Sequence, residues 1–522
     1  MIDPLVAAGE LPNLGGLLAG GAHGTLRSTT HPLTPQAWST MVTGVNAGVH
    51  GILDFAERTE SGYELRIVNG SYRTAPAIWD YLARAGRTVG LVNIPFTWPA
   101  PEVDGFAISG FDTAAHDEMT YPRELLRDIV SRHGDLELDH TFPIAADGTI
   151  DLEHVRRVCE QKVAIAAELT ERYEPELLFV VFMSADHVQH LAWNLWEQHG
   201  AGSPVAEVYR LLDASLGALL GRLDGGDVMV VSDHGAGSLS GVVNLNAWLA
   251  EEGFLTYSDS PGMPQRLARG ALGLRRRLLP ERARRAIKRA APELAERAVR
   301  TSARDIVDMT ATQAFSYGAF GNIVLNVRGR EEQGLVEPGA EYESVRDEIA
   351  ARLVDLRSPD GERIVRGVHR REDLYSGPAL WRAPDLIVEF RDYEWLGKGN
   401  LRRRTPTIWD EVEIESGSDY AYVGSHRLEG MVAISGPSVA PGVSLAANIE
   451  DVAPTILYLL GEPVPSHLEG RVLVEALAAS LLDRRPVEYV DVDDTAHQRL
   501  ETYSSAETAE VEDRLRSLGY LD

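Results

Sequence analysis

Lysine and cysteine are nearly missing from this chain. Among its 50 basic residues only Lys162, Lys288 and Lys398 are lysines, so arginine carries the positive charge. The single cysteine, Cys159, excludes an internal disulfide and a cysteine-built zinc site. Positive charge as a whole is short: 78 acidic residues against 50 basic ones leave a formal net charge of −28. That balance argues against general nucleic-acid binding and against docking on an anionic membrane. No apolar run is long enough to span a bilayer, and the opening MIDPLVAAGELPNL is acidic where a signal peptide would be basic and then apolar. A cytoplasmic protein is expected.

What is present is a long alternation of helix and strand patterns. At 522 residues the chain has room for one large α/β domain with insertions, or for two to three ordinary ones. Leu11–Leu18 reads as a short helix and Gly24–Thr30 as a strand. A helix over Ala75–Ala85 precedes a buried strand, Thr88–Val92. Long helices at Leu152–Arg172 and Val205–Leu223 precede the apolar runs Leu177–Met183 and Val228–Val231. Further strands are predicted at Asn322–Val327, Leu386–Phe390 and Met431–Ser435. Strands apolar on both faces that follow helices predict a mostly parallel central sheet sandwiched by helices. The expected organisation is one catalytic domain over 1–522. An inserted helical cap is expected at 256–310, where Arg275, Arg276, Arg277, Arg284, Arg285 and Lys288 crowd together, and a peripheral segment at 484–522. The basic face of that cap reads as a solvated helix surface.

The residues that carry chemistry lie at the ends of strands. In the stretch His31–Phe55, Thr34 precedes Pro35, and Gln36–Thr43 has helical composition up to Gly44. Proline is favoured in a helix's first turn and threonine just before it, where unpaired backbone N–H groups attract an anion. Helix capping alone accounts for that arrangement. After Leu177–Met183, Asp186 and His190 are four apart, so a helical turn brings a carboxylate and an imidazole to one face. After Val228–Val231 come Asp233 and His234, and His426 precedes the strand Met431–Ser435. In open α/β sheets, ligands gather beyond the carboxyl ends of the strands.

The ordered set of Thr-Pro at a helix start, Asp-x3-His, Asp-His-Gly and Gly-x-His resembles the alkaline-phosphatase superfamily, in its type I phosphodiesterase/nucleotide pyrophosphatase branch. The resemblance covers most of the chain. It rests on LTPQAWSTMVTGVNAGVHGILDF, VNIPFTWP, SADHVQHLAW, VVSDHG, GSHRLEGMVAISGP, IEDVAPTILYLLGEPVP and LRSLGYLD. It implies an alkaline-phosphatase-like fold and a metal-dependent phosphoester hydrolase. Asp186, His190 and His426 would hold one divalent ion, and Asp233, His234 and the Thr34 hydroxyl a second. Zinc is the expected metal, with manganese the alternative. Thr34 would be the nucleophile, forming a covalent phospho-threonine that water then hydrolyses. The expected partner is a small phosphorylated substrate.

Two departures qualify the resemblance. The family opens with an apolar strand ending in a metal-ligating Asp, whereas this chain begins inside the helix that follows. A slot in the core and a gap in the second metal site are therefore expected. The expected cause is a start codon placed too far downstream. The alternative is a naturally truncated, impaired member that binds a phosphorylated ligand. Second, nucleotide pyrophosphatases carry an Asn shortly after the HGI motif, where this chain has Asp54-Phe55, so specificity for nucleotide diesters does not carry over. A sulfatase is disfavoured because Cys159 lacks the Cys/Ser-x-Pro-x-Arg context. A cofactor-independent phosphoglycerate mutase is disfavoured because neither its Ser nucleophile nor its separate substrate domain is visible.

Overall fold

A strand that is apolar on both faces must be covered on both, and Val89–Ile94 is buried at every residue. Around it the chain lays down, in order, β1 (Ala22–Arg27), α1 (Thr34–Thr43), β2 (Val89–Ile94), β3 (Gly105–Ser109) and α2 (Leu152–Tyr173). Then come β4 (Leu177–Val180), α3 (Ser184–His199), α4 (Pro204–Leu220), β5 (Val228–Val231) and β6 (Gly235–Ser238). The last part supplies β7 (Gly424–Arg427), β8 (Glu429–Ser435) and β9 (Val443–Asn448). The structure is a computed structural model. It describes residues 1–59, 62–113, 117–137, 144, 149–222, 225–258, 306–401, 404–410, 422–492 and 501–517. Most of the expected cap at 256–310, and residues 493–500 and 518–522 of the C-terminal segment, lie outside the described residues.

Two four-stranded sheets hold the main core. One has the order Thr120–Tyr121, β3, β2, β4, with β2 parallel to both neighbours. The other has the order β9, β1, β8, β5; β1 is parallel to β9 but antiparallel to β8, which is antiparallel to β5. The chain is α/β, as the alternating pattern predicts, but the pairing is more mixed in direction than "mostly parallel". The cause is local. Only Leu428 separates β7 from β8, so 424–435 is one bent extended stretch that runs back along 228–238.

Asn322–Leu325 and Leu386–Phe390, predicted to join the central sheet, lie instead in a separate antiparallel sheet. Its order is Ala314–Tyr317, Asn322–Leu325, Leu386–Phe390, Val365–Arg370. Helix Ala340–Val354 contributes Ile349 and Leu353 to that sheet's own core, beside Phe315, Ile323, Val388 and Phe390. Being buried on both faces does not tell one sheet from another, which is why the sequence pattern merged them.

β4 and β5 each end their sheet. Their residues, Leu177 to Val180 and Val228 to Val231, are all apolar yet only half-buried. Among the described residues neither edge has a second strand partner. At the other end of the chain, helix Ser505–Ser517 docks through Arg514, whose guanidinium donates to the carbonyls of Phe111 and Thr113. Tyr503 stacks on Trp98 at 4.3 Å.

Candidate active site

The nucleophile candidate sits at the first residue of α1, every residue of which is buried. Sequence reasoning offered capping as the ordinary role of Thr34. The structure removes it: the helix has no side-chain cap, and Thr34 Oγ1 is buried with no hydrogen-bond partner among the described residues. A buried hydroxyl without a partner costs on the order of 1–3 kcal/mol, so its retention asks for an explanation. Gly44 ends the helix with φ +70°, which suits glycine.

Asp186 and His190 lie on the first turns of α3, just past the end of β4. Asp233 and His234 form the link between β5 and β6. His426 on β7 stands opposite Ala236 of β6, the register that brings a residue from near the C-terminus beside His234. The two imidazoles stack with centroids 3.6 Å apart. His190 Nε2 lies 3.3 Å and His426 Nε2 3.4 Å from Asp186 Oδ1, and the two nitrogens are 2.9 Å apart. His234 Nε2 is 3.3 Å from Asp233 Oδ2 and 3.9 Å from Asp186 Oδ1. All five side chains therefore converge. Thr34 is tied to them through the chain: Pro32, two residues earlier, accepts from His426 Nδ1 at 2.5 Å.

Each imidazole is oriented by a backbone carbonyl. His190 Nδ1 donates to Gly424 O at 2.9 Å, His426 Nδ1 to Pro32 O, and His234 Nδ1 to Gly235 O at 3.0 Å. These bonds select the tautomer that turns Nε2 inward. Lone pairs from two Nε2 atoms and one carboxylate oxygen then face one point, an arrangement stable only around a proton or a cation. A tetrahedral ion with bonds of ~2.0–2.1 Å spaces its ligand atoms about 3.3–3.4 Å apart. Asp186, His190 and His426 have that spacing in two of their three pairs, so the donor set fits a divalent ion. Tyr422 lies flat on His190 at 4.4 Å and covers its outer face.

Electrostatics agree with that division of labour. Burial would raise the Asp186 carboxyl, but the imidazoles of His190 and His426 hold it well below the usual carboxylate range. Burial lowers His426 to about 4 and lowers His234 as well, so both rings are neutral at neutral pH. Burial also opposes charge on His190, yet the Asp186 carboxylate raises it on balance. Of the three imidazoles, His190 is the one that the Asp186 carboxylate shifts toward the charged form. Asp233 is pushed up to about 7, by burial first and then by the Asp186 charge.

Sequence reasoning missed the groups that hold the Thr34 loop. Tyr375, Tyr393 and Val388 reach it from the smaller sheet's part of the chain. No local pattern marks those residues.

With fold and geometry in hand, the class is clear. Residues 1–411 match the type I phosphodiesterase/nucleotide pyrophosphatase family, and the chain belongs to it; it is a phosphoric ester hydrolase of the alkaline-phosphatase superfamily. Among solved structures, it is similar to phosphonoacetate hydrolase from Sinorhizobium meliloti 1021 in complex with phosphonoformate. That likeness has a TM-score of 0.52 at 16% identity, over 88% of this chain and 92% of that one, and it is a likeness of fold. Human ectonucleotide pyrophosphatase/phosphodiesterase 5 aligns over 91% of this chain and 94% of its own, at 16% identity and a TM-score of 0.45. No curated protein matches the chain by sequence. No helix among the described residues is long and apolar enough to cross a membrane.

Proposed function

We propose that the chain hydrolyses a small phosphorylated substrate by attack of the Thr34 hydroxyl on phosphorus. Asp186, His190 and His426 would hold one divalent cation, and Asp233, His234 and Thr34 a second, with zinc favoured by an oxygen-and-imidazole donor set. The observation that carries the reading is the buried Thr34 Oγ1 that caps nothing, one short loop away from a cation-shaped ligand cluster. When bound, such dications favour the alkoxide over the hydroxyl and offset charge on the ester oxygens.

The chain's own groups do the rest. In the attack a bond forms between Thr34 Oγ1 and phosphorus, the bond to the leaving oxygen breaks, and that oxygen ends with the hydroxyl proton. Water then attacks phosphorus in phospho-Thr34, the bond to Oγ1 breaks, and the products are phosphate and the restored Thr34 hydroxyl. The first turn of α1 aims amides at the anion, and proline at its second position has no N–H to satisfy. Neutral His234 and His426 supply lone pairs without a proton to displace, whereas the raised values of His190 and Asp233 make ligation there compete with a proton. Apart from the attacking hydroxyl itself, the second set has two ligands, Asp233 and His234, where the first has three. That favours, as a second reading, a protein that binds a phosphorylated ligand and turns it over poorly.

The test combines zinc binding with release of p-nitrophenol from mono- and bis-p-nitrophenyl phosphate, for the natural chain and for Thr34→Ala. Turnover that needs added metal, and a variant that keeps zinc but loses nearly all activity, is the expected result. Full activity in Thr34→Ala would overturn the assignment of the nucleophile. Zinc binding without turnover of any phosphoester would favour the binding role.

A further inference from the structure

The loop before Thr34 is held from outside its own sheet. His31 has φ +53°, a left-handed conformation that costs a non-glycine residue on the order of 1 kcal/mol or more. Such a residue persists only where its surroundings over-determine it. Here they do. The His31 N–H donates to the Tyr393 hydroxyl at 3.1 Å, and His31 Nε2 meets the Val388 carbonyl at 3.2 Å. The Tyr375 hydroxyl donates to Thr30 O at 3.2 Å and accepts from Gln36 Nε2 at 3.0 Å, so it bridges the residues on either side of Thr34. His31, Tyr375 and Tyr393 are all buried.

Both tyrosines and Val388 come from residues 306–401, the part that builds the separate antiparallel sheet. None of them belongs to the metal-shaped cluster. Yet the same loop, residues 28–33, also passes Pro32 O to His426. One short strained segment is therefore anchored to the ligand cluster on one side and to the smaller sheet's region on the other.

We infer that Tyr375 and Tyr393 are positioning residues for Thr34, and that the 306–401 region serves catalysis by fixing the nucleophile's loop in its strained form. This rests on Thr34 being the attacking group. Both hydroxyls hold backbone or side-chain groups at the loop and the start of α1, and those partners, His31, Thr30 and Gln36, are not members of the ligand cluster. Their removal should disturb the alignment of Oγ1 while leaving Asp186, His190 and the Gly424 carbonyl that orients His190 in place. A reacting atom displaced by ~1 Å can lose about a hundredfold in rate.

The experiment compares the natural chain, Thr34→Ala, Tyr375→Phe, Tyr393→Phe and the double phenylalanine variant. Three readouts are taken: kcat and KM on p-nitrophenyl esters, the visible spectrum of the cobalt(II)-loaded protein, and hydrogen exchange of the 29–38 peptide. The double variant is expected to lose at least tenfold in kcat with KM unchanged and cobalt still bound. Its 29–38 peptide should exchange at least tenfold faster while the 89–94 strand exchanges as before. Phenylalanine keeps the rings packed, so a general loss of protection would show misfolding and not loss of the clamp. A double variant with kcat within twofold of the natural chain and unaltered exchange, beside an inactive Thr34→Ala, would overturn the positioning role alone. An active Thr34→Ala would overturn the nucleophile on which it rests. If no substrate is turned over, unchanged exchange in the double variant overturns the clamp and accelerated exchange supports it.

Discussion

Gly424 is the point where the smallest change should do the most harm to the ligand cluster. A Cβ added there would lie 2.1 Å from Gln189 O, 2.8 Å from Gln189 C and 3.1 Å from His190 Cα. The obstacle is helix backbone, so no side-chain rotation relieves it. Ordinary contact begins near 3.4 Å, and Gly424→Ala therefore forces β7 and α3 apart by roughly 1 Å. Among the bonds that cross that seam are His190 Nδ1 to Gly424 O at 2.9 Å and Val423 N to His190 O at 2.8 Å. Stretching both by that amount puts them beyond hydrogen-bonding range. His190 loses the carbonyl that fixes its tautomer, and His426, two residues along the same strand, moves with it. Loss of such outer partners costs about 10–100-fold in metal affinity. Misplacement by ~1 Å adds about a hundredfold in turnover. Gly16→Ala is the control, because its added Cβ meets nothing within 4 Å and its backbone is helical. Zinc titration against a competing chelator and p-nitrophenol release read the two effects. A Gly424→Ala protein with zinc affinity and kcat both within threefold of the natural chain would refute the seam as the determinant of the cluster.

Two further outcomes concern stability. Asp54 is buried, and burial first, then the nearby Glu57, raises its carboxyl from 3.8 to about 7. A raised folded value means that stability is fully present below pH 3.8 and is lost as pH rises toward 7, by up to about 4 kcal/mol for a three-unit shift. Asp54→Asn, which stays neutral, should flatten that part of the pH dependence in urea unfolding between pH 5 and 8; identical slopes would sink the idea. The carboxylate of Asp213 accepts from Leu14 N at 2.8 Å, Asn13 N at 3.2 Å and Asn13 Nδ2 at 2.9 Å. Asp213→Ala strands those donors and should cost about 2–4 kcal/mol, read as a fall in Tm. A loss below about 0.5 kcal/mol would mean water replaces the carboxylate.

The elements that sequence reasoning located well are those whose signal is local. Gly44 and Pro35 bracket α1, and the predicted Val228–Val231 and Leu386–Phe390 strands have the same bounds in the structure. Long amphipathic helices such as Leu152–Tyr173 were legible for the same reason. What was not legible is membership. Asn322–Leu325 and Val89–Ile94 are equally buried along their length. One lies in the separate antiparallel sheet and the other in a sheet that leads to the site, and nothing in either run of side chains records which.

The site divides along the same line. Asp186 and His190 were legible as a pair because four residues on a helix make one face, and α3 begins two residues before Asp186. His426 joins them through strand register, a long-range property: it faces Ala236 only because Leu428 bends an extended stretch that pairs with β6 before the bend and with β5 after it. The carbonyls that orient the imidazoles, and the tyrosines that hold the Thr34 loop, leave no mark in sequence because any residue has a carbonyl and tyrosines are common in cores. Thr34 itself is the sharpest case. A capping threonine and an attacking threonine have the same neighbours in sequence, Pro35 and a helix. They differ in whether the hydroxyl is bonded to the helix's own amides, and here it is not.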